Sequence, residues 1–153
     1  TQPADPGVTL IYGSMYGNTE RMMNAVAEGV SHTSLPLEIF DAARTHASYI
    51  LPALWMHSGV IVGAPTYEVS LFPPVAEMLG YAVHKRIMKR KAAYFGSYGW
   101  SGGALRELKE IAEPLKWDWF DALEFNGAPT RETLRQGEAL GERFAQALLA
   151  SRE

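Results

Sequence analysis

The feature that most constrains the fold is an apolar run followed at once by a loop of small and hydroxyl residues and then by a helical pattern. Val8–Tyr12 is nearly all apolar, which is typical of a strand covered on both faces of a sheet. From Thr19 to about Val30, apolar residues recur at helical spacing. A helix that begins directly after a strand presents free N–H groups and the positive end of its dipole to the intervening loop. The segment therefore predicts a cradle for an anion.

The residues of this loop narrow the choice of anion. Ser14 and Thr19 add hydroxyl groups to the backbone N–H donors, and the loop contains no lysine. The chain lacks the Gly-Lys-Ser/Thr sequence of nucleotidases in this loop, and it lacks the Gly-x-Gly-x-x-Gly sequence of dinucleotide sites there. A single phosphate monoester is therefore favoured over a di- or triphosphate. The alternative is a tight strand-to-helix turn that Ser14 or Thr19 merely caps.

Strands and helices alternate along the rest of the chain. Further strands are predicted at 35–41, 59–63, 92–95 and within 119–126, and further helices at about 45–56, 71–84, 104–113 and 131–150. Pro36 predicts an edge strand, and Thr130 is a suitable cap for the last helix. Short connections between alternating elements imply right-handed crossovers and a parallel sheet with helices on both faces. We predict an α/β fold with a flavodoxin-like, doubly wound five-stranded sheet in the order 2-1-3-4-5.

Ligands of such sheets bind at the carboxyl ends of the strands, where the winding direction reverses. The loops after the first, third and fourth strands meet there, and the last two carry the aromatic residues Tyr67, Tyr98 and Trp100. Aromatic side chains facing each other across a cleft favour a flat apolar ligand, and the glycines of residues 96–103 let the backbone approach a ring edge. A phosphate cradle beside a flat slot suits flavin mononucleotide (FMN). The alternative for each aromatic residue is ordinary packing under its loop.

These motifs resemble the flavodoxin-like domain of flavodiiron proteins, also called A-type flavoproteins. The resemblance extends over nearly the whole chain and rests on Ser14–Thr19, Ala64–Tyr67, Leu71–Pro74 and Gly96–Ala104. In that family the domain carries FMN and passes electrons to a diiron centre in a metallo-β-lactamase-like domain, where oxygen or nitric oxide is reduced.

The resemblance also implies which residues contact FMN. The phosphate is expected at Ser14, Met15, Tyr16, Gly17, Asn18 and Thr19. The redox side of the ring is expected at Pro65, Thr66 and Tyr67, followed by Glu68 where asparagine or glycine is usual. The other ring contacts are expected at Ser97, Tyr98, Gly99, Trp100 and Gly102. No catalytic residue and no metal ligand is predicted.

Composition and charge limit the function classes. The 153 residues suit one domain, with residues 1–7 as a linker or tail and 8–153 as the FMN-binding domain. The absence of cysteine, of a signal peptide and of a membrane-spanning run favours a soluble cytoplasmic protein. The net charge of −3 gives no general attraction for nucleic acid. The basic run His84–Lys91 is interpreted as a helix end plus a solvated loop, with docking to an acidic partner as the alternative.

The leading functional hypothesis is an electron-transfer module, either free or part of a flavodiiron protein. The four histidines are scattered, so the chain is not expected to contain the diiron site itself. By resemblance, its redox partner is a diiron domain, a rubredoxin or a reductase, and whether it forms a homo-oligomer is left open. The alternative function is a flavin-dependent NAD(P)H or quinone reductase. A phospho-receiver is disfavoured because Gly13-Ser14 and Gly63-Ala64 stand where acidic residues would be needed.

Overall fold

The computed structural model describes residues 4–14, 17–67, 70–97 and 103–151. The strands are β1 (Asp5–Tyr12), β2 (Leu37–Asp41), β3 (His57–Gly63), β4 (Thr66–Tyr67), β5 (Ser70–Leu71), β6 (Lys91–Ser97) and β7 (Asp118–Phe125). The helices are α1 (Asn18–Ser31), α2 (Ala47–Met56), α3 (Pro73–His84), α4 (Gly103–Ala112) and α5 (Arg131–Ala150), with a 3-10 turn at Glu113–Leu115. None of the helices in these ranges has the length and apolar character needed to span a membrane.

The main sheet has five parallel strands in the order β2-β1-β3-β6-β7. Counting only these strands, the order is 2-1-3-4-5, so the predicted fold is confirmed. β2 lies at an edge, as Pro36 predicted, since proline cannot donate a hydrogen bond to a second neighbouring strand.

The helices cover both faces of the sheet and bury two apolar layers. One layer contains Ile50 and Leu54 of α2, together with apolar residues of α3 and α4. The other contains Met22 and Val26 of α1 and Phe144 of α5. Because each central strand has a helix layer on both sides, its residues are apolar without alternation.

Two glycines let α1 and α5 approach closely. A Cβ atom on Gly29 would clash with the backbone oxygen of Glu138, and one on Gly141 would clash with the backbone oxygen of Val26. The two helices therefore make backbone-to-backbone contact, which holds α1 in place on the sheet.

Some elements differ from the predicted bounds. β1 begins at Asp5 rather than Val8, because His57 extends β3 and pairs with Asp5. The buried His57 ring contacts this extension: its Nδ1 lies 3.0 Å from Thr9 Oγ1, and a Cβ on Gly7 would lie 2.5 Å from its Cδ2. The division of the chain into a linker or tail at 1–7 and an FMN-binding domain at 8–153 stays a prediction. The sequence also missed β4 and β5, since two-residue strands are too short to show alternation.

Candidate functional site at the carboxyl edge

Three loops leave the carboxyl edge of the sheet side by side. β1, β3 and β6 are neighbours, with Tyr12 paired to Gly63 and Gly63 paired to Phe95. Backbone hydrogen bonds continue beyond the strands, since Gly13 N donates to Gly63 O at 2.9 Å and Ala64 N donates to Phe95 O at 3.1 Å. The three loops that follow these strands therefore begin next to one another, as predicted.

The first loop ends in an uncapped helix start. Gly17 is the N-cap of α1 and has φ of +84°, a left-handed conformation that favours glycine. Gly17 N donates to Ser14 Oγ at 3.0 Å. Because the N-cap residue is a glycine, it has no side chain that could bind the first-turn N–H groups. Among the residues that the structure describes, none has an atom within 4 Å of a Cβ built on Gly17. The N–H groups of Asn18 and the next residues thus begin a helix without a cap from the N-cap residue, which is an arrangement that suits an anion.

Thr19 lies on the inward side of α1. It is only 1% exposed and continues the buried stripe formed by Met22, Met23 and Val26. Its hydroxyl is thus part of the packed helix start, so a substitution at Thr19 changes packing as well as hydrogen bonding. A test of its role needs variants that separate these two effects.

The second loop contributes two short antiparallel strands. Pro65 is buried, and the backbone of Thr66–Tyr67 pairs with that of Ser70–Leu71. Leu71 N donates to Glu107 Oε1 of α4 at 3.4 Å, which joins these strands to that helix. The predicted residue Tyr67 therefore stands on a strand rather than on a free loop.

Phe72 is a site-supporting residue that the sequence did not reveal. It is the N-cap of α3, and a Cβ on Gly13 would lie 2.5 Å from its Cδ2. The first loop therefore packs directly against the start of α3. Phe72 lies in the motif Leu71–Pro74, and its proline pair marks a helix start, but neither signal indicates the contact with Gly13.

The third loop begins against a buried tyrosine. Tyr94 Oη donates to Ala64 O at 3.3 Å, and a Cβ on Gly96 would clash with both of these oxygens. Burial raises the pKa of Tyr94, and the nearby carboxylate of Glu124 raises it further. Glu124 Oε2 is buried and has no hydrogen-bond partner among the residues that the structure describes. Because Gly96 has no Cβ atom, β6 can approach the second loop closely at Ala64.

The remaining predicted contacts lie outside the described residues: Met15, Tyr16, Glu68, Tyr98, Gly99, Trp100 and Gly102. The structure brings Ser14, Gly17, Asn18, Thr19 and Pro65 to the carboxyl edge together with the backbone of Thr66, Tyr67 and Ser97.

Two carboxylates and one guanidinium lie near the end of β1. The pKa of Tyr12 is raised by burial first and then by the carboxylates of Asp41 and Glu20, whereas Arg44 lowers it. A phosphate in the first loop would therefore depend on N–H groups and hydroxyls for its binding energy, since the loop sequence carries no cation.

Comparison with known proteins identifies the family to which the fold belongs. The sequence model of the flavodoxin family matches residues 10–141. The chain belongs to the flavodoxin family. The matched residues include the cradle, the second loop and the third loop, so the three loops of this flavodoxin domain lie within the shared region.

The relatives support the narrower resemblance to flavodiiron proteins. The chain is 32% identical over 142 residues to diflavin flavoprotein A 3 of Synechocystis, covering 92% of this chain and 24% of that protein. It is 33% identical over 142 residues to the anaerobic nitric oxide reductase flavorubredoxin of Escherichia coli, covering 84% of this chain and 30% of that protein. Rubredoxin oxygen:oxidoreductase from Desulfovibrio gigas superimposes with a TM-score of 0.90 and 28% identity, over 97% of this chain and 37% of that one.

The predicted resemblance is therefore confirmed. The chain spans about a quarter to a third of the length of the curated relatives that it matches. It is homologous to the flavodoxin domains of these longer proteins.

Proposed function

We propose that the chain is an FMN-binding electron-transfer module that delivers electrons to a diiron centre which reduces oxygen or nitric oxide. The observation that carries this proposal is the uncapped start of α1 at Gly17, placed at the same sheet edge as the second and third loops. A left-handed glycine, whose Cβ position has no described residue within 4 Å, and a helix N-terminus fit a phosphate group without any lysine.

The resemblance to flavodiiron proteins extends this assignment to the rest of FMN. We assign the phosphate to residues 14–19 and the ring to residues 65–68, 97–100 and 102. When bound, FMN supplies the ability to accept and donate one or two electrons. This chain's own residues would bind and orient the group. The first loop would hold the phosphate, and the paired strands β4 and β5, joined to α4 through Glu107, fix the backbone of the second loop.

The proposed redox partner is based on the lengths of the relatives. The flavorubredoxin and the rubredoxin oxygen:oxidoreductase are each about three times as long as the region that they share with this chain. We therefore propose a redox partner that is either a diiron domain of the same polypeptide or a separate rubredoxin or reductase. A tethered partner is held at high effective concentration, which agrees with a net charge of only −3. The lack of cysteine supports a cytoplasmic location as part of this proposal.

The test is FMN binding by the purified chain, with Thr19 as the probe of the cradle. Thr19→Val keeps the shape of this buried side chain and removes the hydroxyl, whereas Thr19→Ser keeps the hydroxyl and removes a methyl group. A hydrogen bond to a charged phosphate is worth roughly 1.5–3 kcal/mol, so the valine variant should lose about ten- to hundredfold in FMN affinity. The serine variant should bind FMN nearly as wild type does.

Riboflavin, which lacks the phosphate, is the matched control ligand. Its affinity should be the same in the valine variant and in wild type. Equal loss of FMN and riboflavin would assign Thr19 to packing alone, and a purified chain that binds no FMN would remove the proposal. Oxidation of NADH by the FMN-loaded chain would instead favour the reductase alternative.

A further inference from the structure

The edge of the sheet opposite the cradle carries a cluster of cations. The loop 85–90 leads into β6, and residues 116–117 lead into β7, so both lie at the amino ends of strands. β3 and β6 each have seven residues, which separates the two edges by about 20 Å at ~3.3 Å per residue. We call the exposed residues Lys85, Arg86, Lys89 and Lys116, together with Trp55 and Met56, the basic edge.

Three of these cations have an unusual backbone. Arg86 has φ of +54°, and Lys89 and Lys116 each have φ of +58°. Within residues 4–14, 17–67, 70–97 and 103–151, no other residue with a side chain has positive φ. This conformation is unfavourable for any residue with a Cβ atom, and glycine or asparagine is usual there. A basic side chain at all three positions points to a functional use of the charge.

The backbone of the basic edge is held in place by hydrogen bonds from both sides. Lys89 N donates to Leu115 O at 2.8 Å, next to Lys116, and Asp118 N donates to Arg90 O at 2.8 Å. Trp117 Nε1 donates to Ile87 O at 2.8 Å, and this indole is buried. The three cations are therefore presented from a fixed framework instead of from a solvated tail.

Apolar side chains stand next to these cations. Arg90 turns inward and donates to Leu54 O at 3.2 Å and to Trp55 O at 3.0 Å, which fastens the basic loop to the end of α2. At that helix end Trp55 is 58% exposed and Met56 is 52% exposed. Aromatic residues, methionine and arginine are the types enriched at protein interfaces.

We propose that the basic edge is a docking site for a protein surface that carries carboxylates around an apolar side chain. The cations of the basic edge attract carboxylates by charge complementarity. They are concentrated on this surface although the chain as a whole has a net charge of −3. The same net charge opposes a nucleic acid, which would face the acidic remainder of the surface. A partner bound here would leave the carboxyl edge, and any flavin there, uncovered. The proposal does not depend on FMN binding.

The test uses the 153-residue chain labelled with ¹⁵N and a random copolymer of glutamate and tyrosine as the acidic, partly apolar probe. Amide signals of residues 85–90 and 115–117 and the indole signal of Trp55 should shift on addition of the copolymer. The variant Arg86→Gly, Lys89→Gly, Lys116→Gly removes the charges and supplies the residue that the backbone favours. It should bind the copolymer at least about tenfold more weakly while its melting temperature stays equal or rises. FMN affinity should not change, which separates this result from a failure of the cradle.

A matched control lowers the net charge equally on other surfaces. The variant Arg44→Gln, Arg131→Gln, Arg135→Gln removes three exposed cations that lie outside the basic edge. It should bind the copolymer within about twofold of wild type, whereas an equal loss in both triple variants would overturn the proposal. Trp55→Ser should remove the preference for the copolymer over polyglutamate. The proposal also fails if the copolymer does not bind at low salt, or if duplex DNA binds as tightly.

Discussion

Replacing Gly141 with alanine is expected to destabilise the domain, although alanine is the better helix former. A Cβ at Gly141 would clash with Val26 O and would lie 3.0 Å from Val26 C and 3.1 Å from Val30 N. All three atoms belong to the backbone of α1, so no side chain can rotate away and the two helices must separate. Overpacking of this kind costs up to about 3 kcal/mol, and alanine returns about 1 kcal/mol of helix propensity. The net loss should be about 2 kcal/mol, which lowers the melting temperature by roughly 4–8 °C for a domain of this size.

Gly80→Ala is the matched control for this prediction. Gly80 lies in α3 and is exposed, and no residue in the described part of the chain has an atom within 4 Å of a Cβ built there. The same substitution should there stabilise the domain by about 1 kcal/mol and raise the melting temperature by roughly 2–4 °C. Thermal and urea unfolding followed by circular dichroism at 222 nm would measure both. If Gly141→Ala were as stable as wild type, the close packing of α1 on α5 would be refuted.

Two further predictions concern the buried tyrosine and the cap of α5. Because burial raises the pKa of Tyr94, the unfolded chain releases this proton first, so stability should be complete below the unfolded value of about 10 and should fall as pH rises above it. Tyr94→Phe should remove that part of the alkaline dependence in urea titrations between pH 8 and 11; an unchanged slope would contradict the assignment. Thr130 Oγ1 accepts from Thr133 N at 3.1 Å, and Thr133 Oγ1 accepts from Thr130 N at 2.7 Å. Thr130→Ala should therefore cost about 1 kcal/mol, whereas Thr130→Ser should keep most of the stability.

The sequence by itself determined the order of the five helices and of the five strands of the main sheet, and it predicted the edge at which the candidate site lies. Helical spacing and a cap predicted a helix at 131–150, and α5 has these bounds. The prediction succeeded because both signals lie within one segment. The parallel sheet followed from alternation and from the handedness of crossovers, and the convergence of three loops followed from the flavodoxin-like order predicted for five strands. The resemblance to flavodiiron proteins followed from motifs in those loops.

Only the tertiary structure decided how the elements touch. The contact of Gly13 with Phe72 and that of Gly141 with Val26 join segments far apart in sequence, and nothing local in either segment indicates them. Thr19 faces inward because α1 is packed on the sheet, whereas its place in the loop motif suggested only a hydroxyl for the phosphate. The left-handed backbone at Lys89 depends on its hydrogen bond to Leu115. Local propensity predicts which elements form, but close approach, burial and strain arise only when distant segments pack together.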